Sequence, residues 1–116
     1  RREVVERIGG LPENLHYWSD AVFCDRLTRA VPGKLYVMPA SRLIHFEGKG
    51  SGEKSYSMAN WLIRDFHRGA YTFYCEHYQL GPLHPARWLA AAGLGIRAHA
   101  LMFINWVKHA TKPHSL

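Results

Sequence analysis

The sequence lacks several features that would mark a well-known class of protein. Its 116 residues include only two cysteines, Cys24 and Cys75, so a disulfide framework is excluded and a reduced, cytosolic thiol pair is favoured. It has no C-x-x-C or H-E-x-x-H pattern, and no internal repeat. The chain opens at Arg1 with neither a methionine nor a signal peptide, and we expect it to be a piece of a longer polypeptide.

Negative charge is also scarce. Fifteen Lys and Arg residues outnumber nine Asp and Glu residues, which gives a formal net charge of +6 and a pI near 9.6. This balance favours anionic partners such as nucleotide diphosphates or lipid headgroups. Nucleic acid fits the charge as well, but the chain carries no nucleic-acid recognition motif, so we expect no nucleic-acid partner. Nearly half of the residues are hydrophobic, which is enough for one small core.

Hydrophobic periodicity and turn residues predict an α/β chain, mostly helical with two short strands. A Pro-Gly pair at 32–33 separates a helical segment from the two strands, which bracket Pro39. A glycine-rich loop over 47–53 and a Gly-Pro pair at 81–82 mark further breaks. The predicted helices cover residues 1–8, 20–30, 55 to about 80 and 85 to about 111, and the predicted strands cover 34–38 and 42–46.

Asp20 and His45 are the residues best placed for chemistry. A carboxylate at the start of a helix is held ionised by the helix dipole, and it can accept the proton of a hydroxyl group. In the plain structural alternative, Asp20 only caps the helix. His45 ends the second predicted strand, where a neutral imidazole could bind a divalent metal or serve structure alone. Tyr17 and Trp18 could form a stacking platform for a sugar ring, or they could pack in the core.

The order of these residues resembles the C-terminal half of the inverting family 2 glycosyltransferases, the rhamnosyltransferase-like enzymes with a GT-A fold. That family has a stretch similar to G-G-F-x-E-x-F-x-x-Y-x-E-D-x-D-x-C-x-R, followed by a segment that ends in a histidine. Ser19 stands where the family has the first acid of its acidic pair. The matching positions here are Gly9, Gly10, Glu13, Tyr17, Asp20, Cys24, Arg26, Tyr36, Pro39, Ala40 and His45.

The resemblance implies roles for several residues of this chain. Residues 1–81 would be the acceptor-side half of a GT-A domain, with Asp20 as the catalytic base and Arg26 close to substrate. His45 would be one ligand of a divalent metal, Mg²⁺ or Mn²⁺, whose other ligands belong to an N-terminal half. Ser51 and Lys54 would contact the diphosphate of a nucleotide-sugar donor, over which their glycine-rich loop would close as a lid. In the alternative interpretation this loop is only a mobile surface loop.

Residues 82–116 form a separate unit, a basic amphipathic helix. Seen down the helix axis, one side carries Arg87, Arg97, Lys108 and Lys112, and the other carries tryptophans and aliphatic residues. Arg97 interrupts the apolar run, so we expect the helix to lie along an anionic membrane rather than to cross it. Packing against the missing half of the enzyme, or against a second subunit, is the alternative.

The sequence therefore predicts an inverting glycosyltransferase that acts on a glycan or lipid-linked acceptor, at the cytoplasmic face of the cell membrane. The alternative is a non-catalytic module that binds a membrane or a partner through the basic helix.

Overall fold

The computed structural model describes residues 2–32, 36, 39–42, 44 and 55–111, and within them the chain forms four helices. These are α1 (Arg2–Ile8), α2 (Ser19–Ala30), α3 (Tyr56–His77) and α4 (Pro85–Ala110). All four predicted helices are confirmed, with ends that differ from the predicted ones by a few residues at most.

The predicted α/β class is wrong, because the described residues contain no strand. Tyr36 and Ile44, which fall in the two predicted strands, are 82% and 80% exposed. A two-stranded ribbon is marginal unless one of its faces is buried against a helix or a further strand. Neither of these two described residues has the buried face that a strand in such a ribbon would need.

Local sequence sets the helix ends. Gly9 and Gly10 both have positive φ, and their amides donate to Glu6 O (3.3 Å) and Val5 O (3.0 Å), which closes α1 in a Schellman motif. Ser55 caps α3 by accepting from the Met58 amide at 3.2 Å. His84 caps α4 by accepting from the Ala86 amide, with a proline at the first helical position.

Helices α3 and α4 form an antiparallel hairpin, and they share the largest interface in the described part of the chain. Residues 78–84, which contain the predicted unit boundary at Gly81, connect them. The register follows from paired side chains along the interface: Arg87 with Tyr71, Arg97 with His67, Asn105 with Asn60 and His109 with Tyr56.

The loop over residues 11–18 packs on the other side of α3 and carries the chain into α2. Leu15 from this loop and Val22 from α2 are buried, and Ala98 is buried on α4. These three are the only buried hydrophobic residues among those described, so the core is small. Polar pairs and aromatic contacts between helices therefore hold much of the fold.

Candidate functional site

Asp20 lies in the first turn of α2, exposed to solvent. Its Oδ1 accepts from the Ala21 amide at 2.8 Å. The prediction that Asp20 is the N-cap is wrong: Trp18 occupies that position with φ 69°, and its side chain makes no capping hydrogen bond. Asp20 therefore projects from the start of the helix, where a substrate hydroxyl could reach its carboxylate.

Asp65 on α3 fixes the turn that leads to Asp20. This carboxylate is only 4% exposed, and its Oδ2 accepts from the backbone amides of His16 (3.0 Å) and Tyr17 (2.8 Å). Arg68 contacts Oδ1 at 3.3 Å and also donates to the Asn14 carbonyl. Charge-assisted bonds to backbone amides are among the stronger hydrogen bonds in proteins. Asp65 therefore ties the loop to α3 at the residues just before the candidate base.

Neither Asp65 nor its helical neighbour Gly69 was predicted as a site residue from the sequence. A Cβ at Gly69 would stand 2.7 Å from the Tyr17 carbonyl oxygen and 3.0 Å from the Trp18 Cβ. Only glycine lets the turn approach α3 so closely. The one signal in the sequence was a glycine inside a strongly helical pattern, which usually has a packing reason.

Tyr17 and Trp18, the predicted sugar platform, both pack on α3. Tyr17 meets Phe66 edge-on at 5.8 Å, and Trp18 lies against Phe66 (5.7 Å) and Phe73 (5.4 Å). Tyr17 keeps about a third of its surface exposed at one edge of a groove, and Trp18 is half-buried. Of the two, Tyr17 is the one that a ligand could reach.

Arg26, the predicted substrate contact, forms a two-pronged ion pair with Glu76 of α3. Its Nε donates to Oε2 at 2.8 Å and its Nη2 donates to Oε1 at 2.7 Å. These bonds lower the pKa of Glu76 below its ordinary value and raise that of Arg26. A substrate phosphate would have to compete with Glu76 for the guanidinium.

His45, Ser51 and Lys54, the predicted metal and donor-diphosphate contacts, lie outside the described residues. Within the part of the chain that the structure describes, no three His, Cys, Asp or Glu residues come together as a metal site.

A groove of about 590 Å³ runs between α3 and α4, and we call it the α3–α4 groove. Its floor is apolar, and Arg97 and Lys108 line it from α4. None of the described residues that line it is acidic. The apolar lining consists of Ala59, Leu62, Ile63, Phe66, Leu101 and Ile104, and the remaining lining residues are Tyr17, His67 and Asn105.

The other side of α4 points away from the rest of the described chain and is apolar. Ile96 is 73% exposed, Trp88 65% and Phe103 62%. We call this side the outward face of α4; it consists of Trp88, Leu89, Ile96, Phe103, Trp106 and Val107. A helix of a water-soluble domain normally buries its apolar stripe. Here the predicted basic side packs on α3 and the apolar side is left exposed.

Helix α4 also has the length and apolar composition of a membrane-crossing segment, and it is the one such helix among the described residues. A core helix of a soluble protein can have the same length and composition, but only 6% of the most apolar stretch of α4 is buried. These properties are compatible with membrane association.

Comparison with known proteins adds no relative: no family model, no curated protein and no solved structure matches this chain. The resemblance to family 2 glycosyltransferases therefore rests on the motif residues alone.

Proposed function

We propose that this chain is the acceptor-side part of an inverting nucleotide-sugar glycosyltransferase that works on a glycan or lipid-linked acceptor at an anionic membrane. Helix α4 would hold it at that membrane. The observation that carries the membrane part of the proposal is the outward face of α4, which stays exposed although its side chains are large and apolar. The proposal does not include an α/β fold for the described residues, which are helical.

The packing of α3 favours an α4 that lies along the membrane. Arg97 is near the middle of α4, and α3, which packs antiparallel to it, exposes Arg64 and Arg68. If α4 crossed a bilayer in this hairpin, these charges would enter hydrocarbon at a cost of about 2.5–3.5 kcal/mol each near the centre. With α4 flat on the surface, only the outward face enters the apolar layer and the charges stay in water.

The cytoplasmic side of the cell membrane suits the two cysteines. Cys24 and Cys75 are both free, and Cys24 is exposed. Unpaired thiols of this kind are usual in reducing compartments and uncommon in secreted proteins. We therefore propose peripheral attachment to the inner face of the membrane.

Two observations support glycosyl transfer: the motif order and the position of Asp20. Asp20 is exposed in the first turn of α2, directly after a turn that Asp65 anchors. A carboxylate placed there can take the proton of an acceptor hydroxyl. The hydroxyl oxygen then attacks the anomeric carbon of the donor sugar, and the nucleoside diphosphate departs. Such a single displacement inverts the stereochemistry of the sugar. A divalent metal would supply charge stabilisation to the departing diphosphate.

The test of transfer is Asp20→Asn in the natural gene product that carries this sequence. This substitution keeps the shape and removes the base, so turnover should fall by about 10²–10⁴-fold with donor binding little changed. Glu3→Gln, which removes an exposed carboxylate from α1, is the matched control and should leave turnover unchanged. Turnover close to normal in Asp20→Asn would end the assignment of Asp20 as the base.

The test of attachment is the double substitution Trp88→Ser and Trp106→Ser. Vesicles of anionic phospholipid should shift the tryptophan fluorescence of the wild-type chain to the blue and bind the double variant much more weakly. Trp61→Ser is the control, because Trp61 is a half-exposed tryptophan on α3, away from the outward face. Equal binding by all three proteins would show that the outward face of α4 does not bind the membrane.

A non-catalytic module that binds a membrane or partner through α4 is the second candidate. The outward face of α4 favours it, since that face does not include Asp20. In this case the serine double variant would lose function and Asp20→Asn would keep it.

A further inference from the structure

The α3–α4 groove combines an apolar floor with fixed positive charge, at the flank of the helix that we propose to lie on a membrane. We propose that this groove is a binding site for one anionic phospholipid, with Arg97 as the ligand of the lipid phosphate and the apolar floor as the seat of an acyl chain. The inference deepens the proposed membrane attachment and rests on it. It names the lipid group that the protein would recognise.

Arg97 is held in place on the groove side of α4. The Nδ1 of buried His67 lies 2.6 Å from the Ile63 carbonyl, which can only accept, so Nδ1 carries the proton. The Nε2 of His67 is then an acceptor, and Arg97 Nη1 donates to it at 3.0 Å. The guanidinium also lies over the Phe66 ring at 6.0 Å. Two contacts to α3 therefore fix its orientation before any ligand arrives.

A guanidinium fixed in this way suits a phosphate. Among the described residues Arg97 has no carboxylate partner, and His67 occupies only one of its terminal nitrogens. The remaining N–H groups of an arginine form a planar fork that matches two oxygens of a phosphate, which an ammonium group cannot do.

The groove joins the membrane side of α4 directly. Successive residues of a helix are about 100° apart, so Arg97 follows the outward-facing Ile96 around the helix. Ile104, two turns further on, lines the groove and is itself 47% exposed. If the outward face rests in the apolar layer, Arg97 and Ile104 stand at the level of the headgroups. A phosphate can then meet Arg97 while its acyl chain enters beside Leu101 and Ile104.

The size and charge of the groove fit one such occupant. Its volume of about 590 Å³ lies within the range of about 300–1,000 Å³ that is usual for sites of small molecules. Lys108 adds a second positive charge, 11 residues or about 16 Å further along the same helix. That distance is too long for both cations to hold one phosphate through short contacts, so Lys108 would supply only general attraction to the anionic surface.

The experiment compares vesicles that carry phosphatidic acid with vesicles that carry oleate, matched for measured surface potential. The wild-type chain should prefer phosphatidic acid, and Arg97→Lys should lower that preference by about 10–100-fold while its binding to oleate vesicles stays near normal. Lys108→Gln is the control for general charge, and it should weaken binding to both vesicles alike, by about fivefold. Measurable binding of the wild-type chain to both vesicles with equal affinity, or equal effects of the two substitutions, would overturn the proposal.

A second measurement separates the site from the attachment. Dihexanoyl phosphatidic acid, a soluble lipid with the same phosphate, is titrated into the wild-type and Arg97→Lys chains without vesicles, and binding is followed by NMR of groove residues. Saturable binding by the wild-type chain that Arg97→Lys weakens supports the site even if the chain ignores vesicles. No binding, or equal binding of inorganic phosphate, would contradict a lipid site.

Discussion

Replacing Gly69 by alanine tests whether the turn before Asp20 is held against α3 as closely as the structure shows. The added Cβ would stand 2.7 Å from the Tyr17 carbonyl oxygen. That carbonyl cannot withdraw freely, because the amide of the same residue donates to Asp65 at 2.8 Å. Steric overpacking of this kind costs about 1–3 kcal/mol.

The helix propensity of alanine works in the opposite direction, by up to about 1 kcal/mol. Gly93→Ala on α4 isolates this gain, since nothing lies within 4 Å of a Cβ built there. Urea unfolding followed by circular dichroism should therefore give Gly69→Ala a free energy of unfolding about 1–3 kcal/mol below that of Gly93→Ala. If the two variants are equally stable, the turn does not pack on α3 at this distance.

Two further predictions concern the Arg26–Glu76 ion pair and the attraction of the basic residues to anionic lipid. The pKa of Glu76 is lowered by its bonds to Arg26, so the stability it contributes is complete above its ordinary value of 4.5 and is lost as the pH falls through the lower folded value. Glu76→Gln should thus be less stable than the wild-type chain by about 0.2–1 kcal/mol at pH 7, and this difference should disappear in acid. Vesicle binding by the wild-type chain should weaken as salt is added, because part of the binding free energy is attraction between basic residues and anionic lipid. Binding that does not change with salt would mean that only the apolar contact holds the chain on the vesicle.

The helices were predictable because their signals are local. Paired glycines after Ile8, a serine at the start of α3 and Pro85 at the start of α4 each act within one turn. The strands were not predictable from the same kind of signal. A short apolar run such as 34–38 resembles a strand in composition, but whether such a run forms one depends on whether another segment covers it.

The anchoring of the candidate site depends on contacts between distant residues. Asp65 receives bonds from residues 48 and 49 positions earlier, and no local pattern distinguishes it from an exposed helical acid. Likewise, the two-sided pattern of α4 was visible in the sequence, but which side α3 would cover was not. The structure shows that α3 takes the basic side, through Arg87, Arg97 and Asn105.

The depth of Ile96 in a bilayer tests the central claim most directly. A spin label at Ile96→Cys, in a chain with Cys24→Ser and Cys75→Ser, sits midway along the outward face of α4. With α4 along the surface, relaxation measurements in anionic vesicles should place the label about 5–10 Å into the boundary between headgroups and acyl chains. A label near the bilayer centre, about 15 Å deep, would mean that α4 crosses the membrane, and a label that stays in water would mean that the outward face meets no membrane at all.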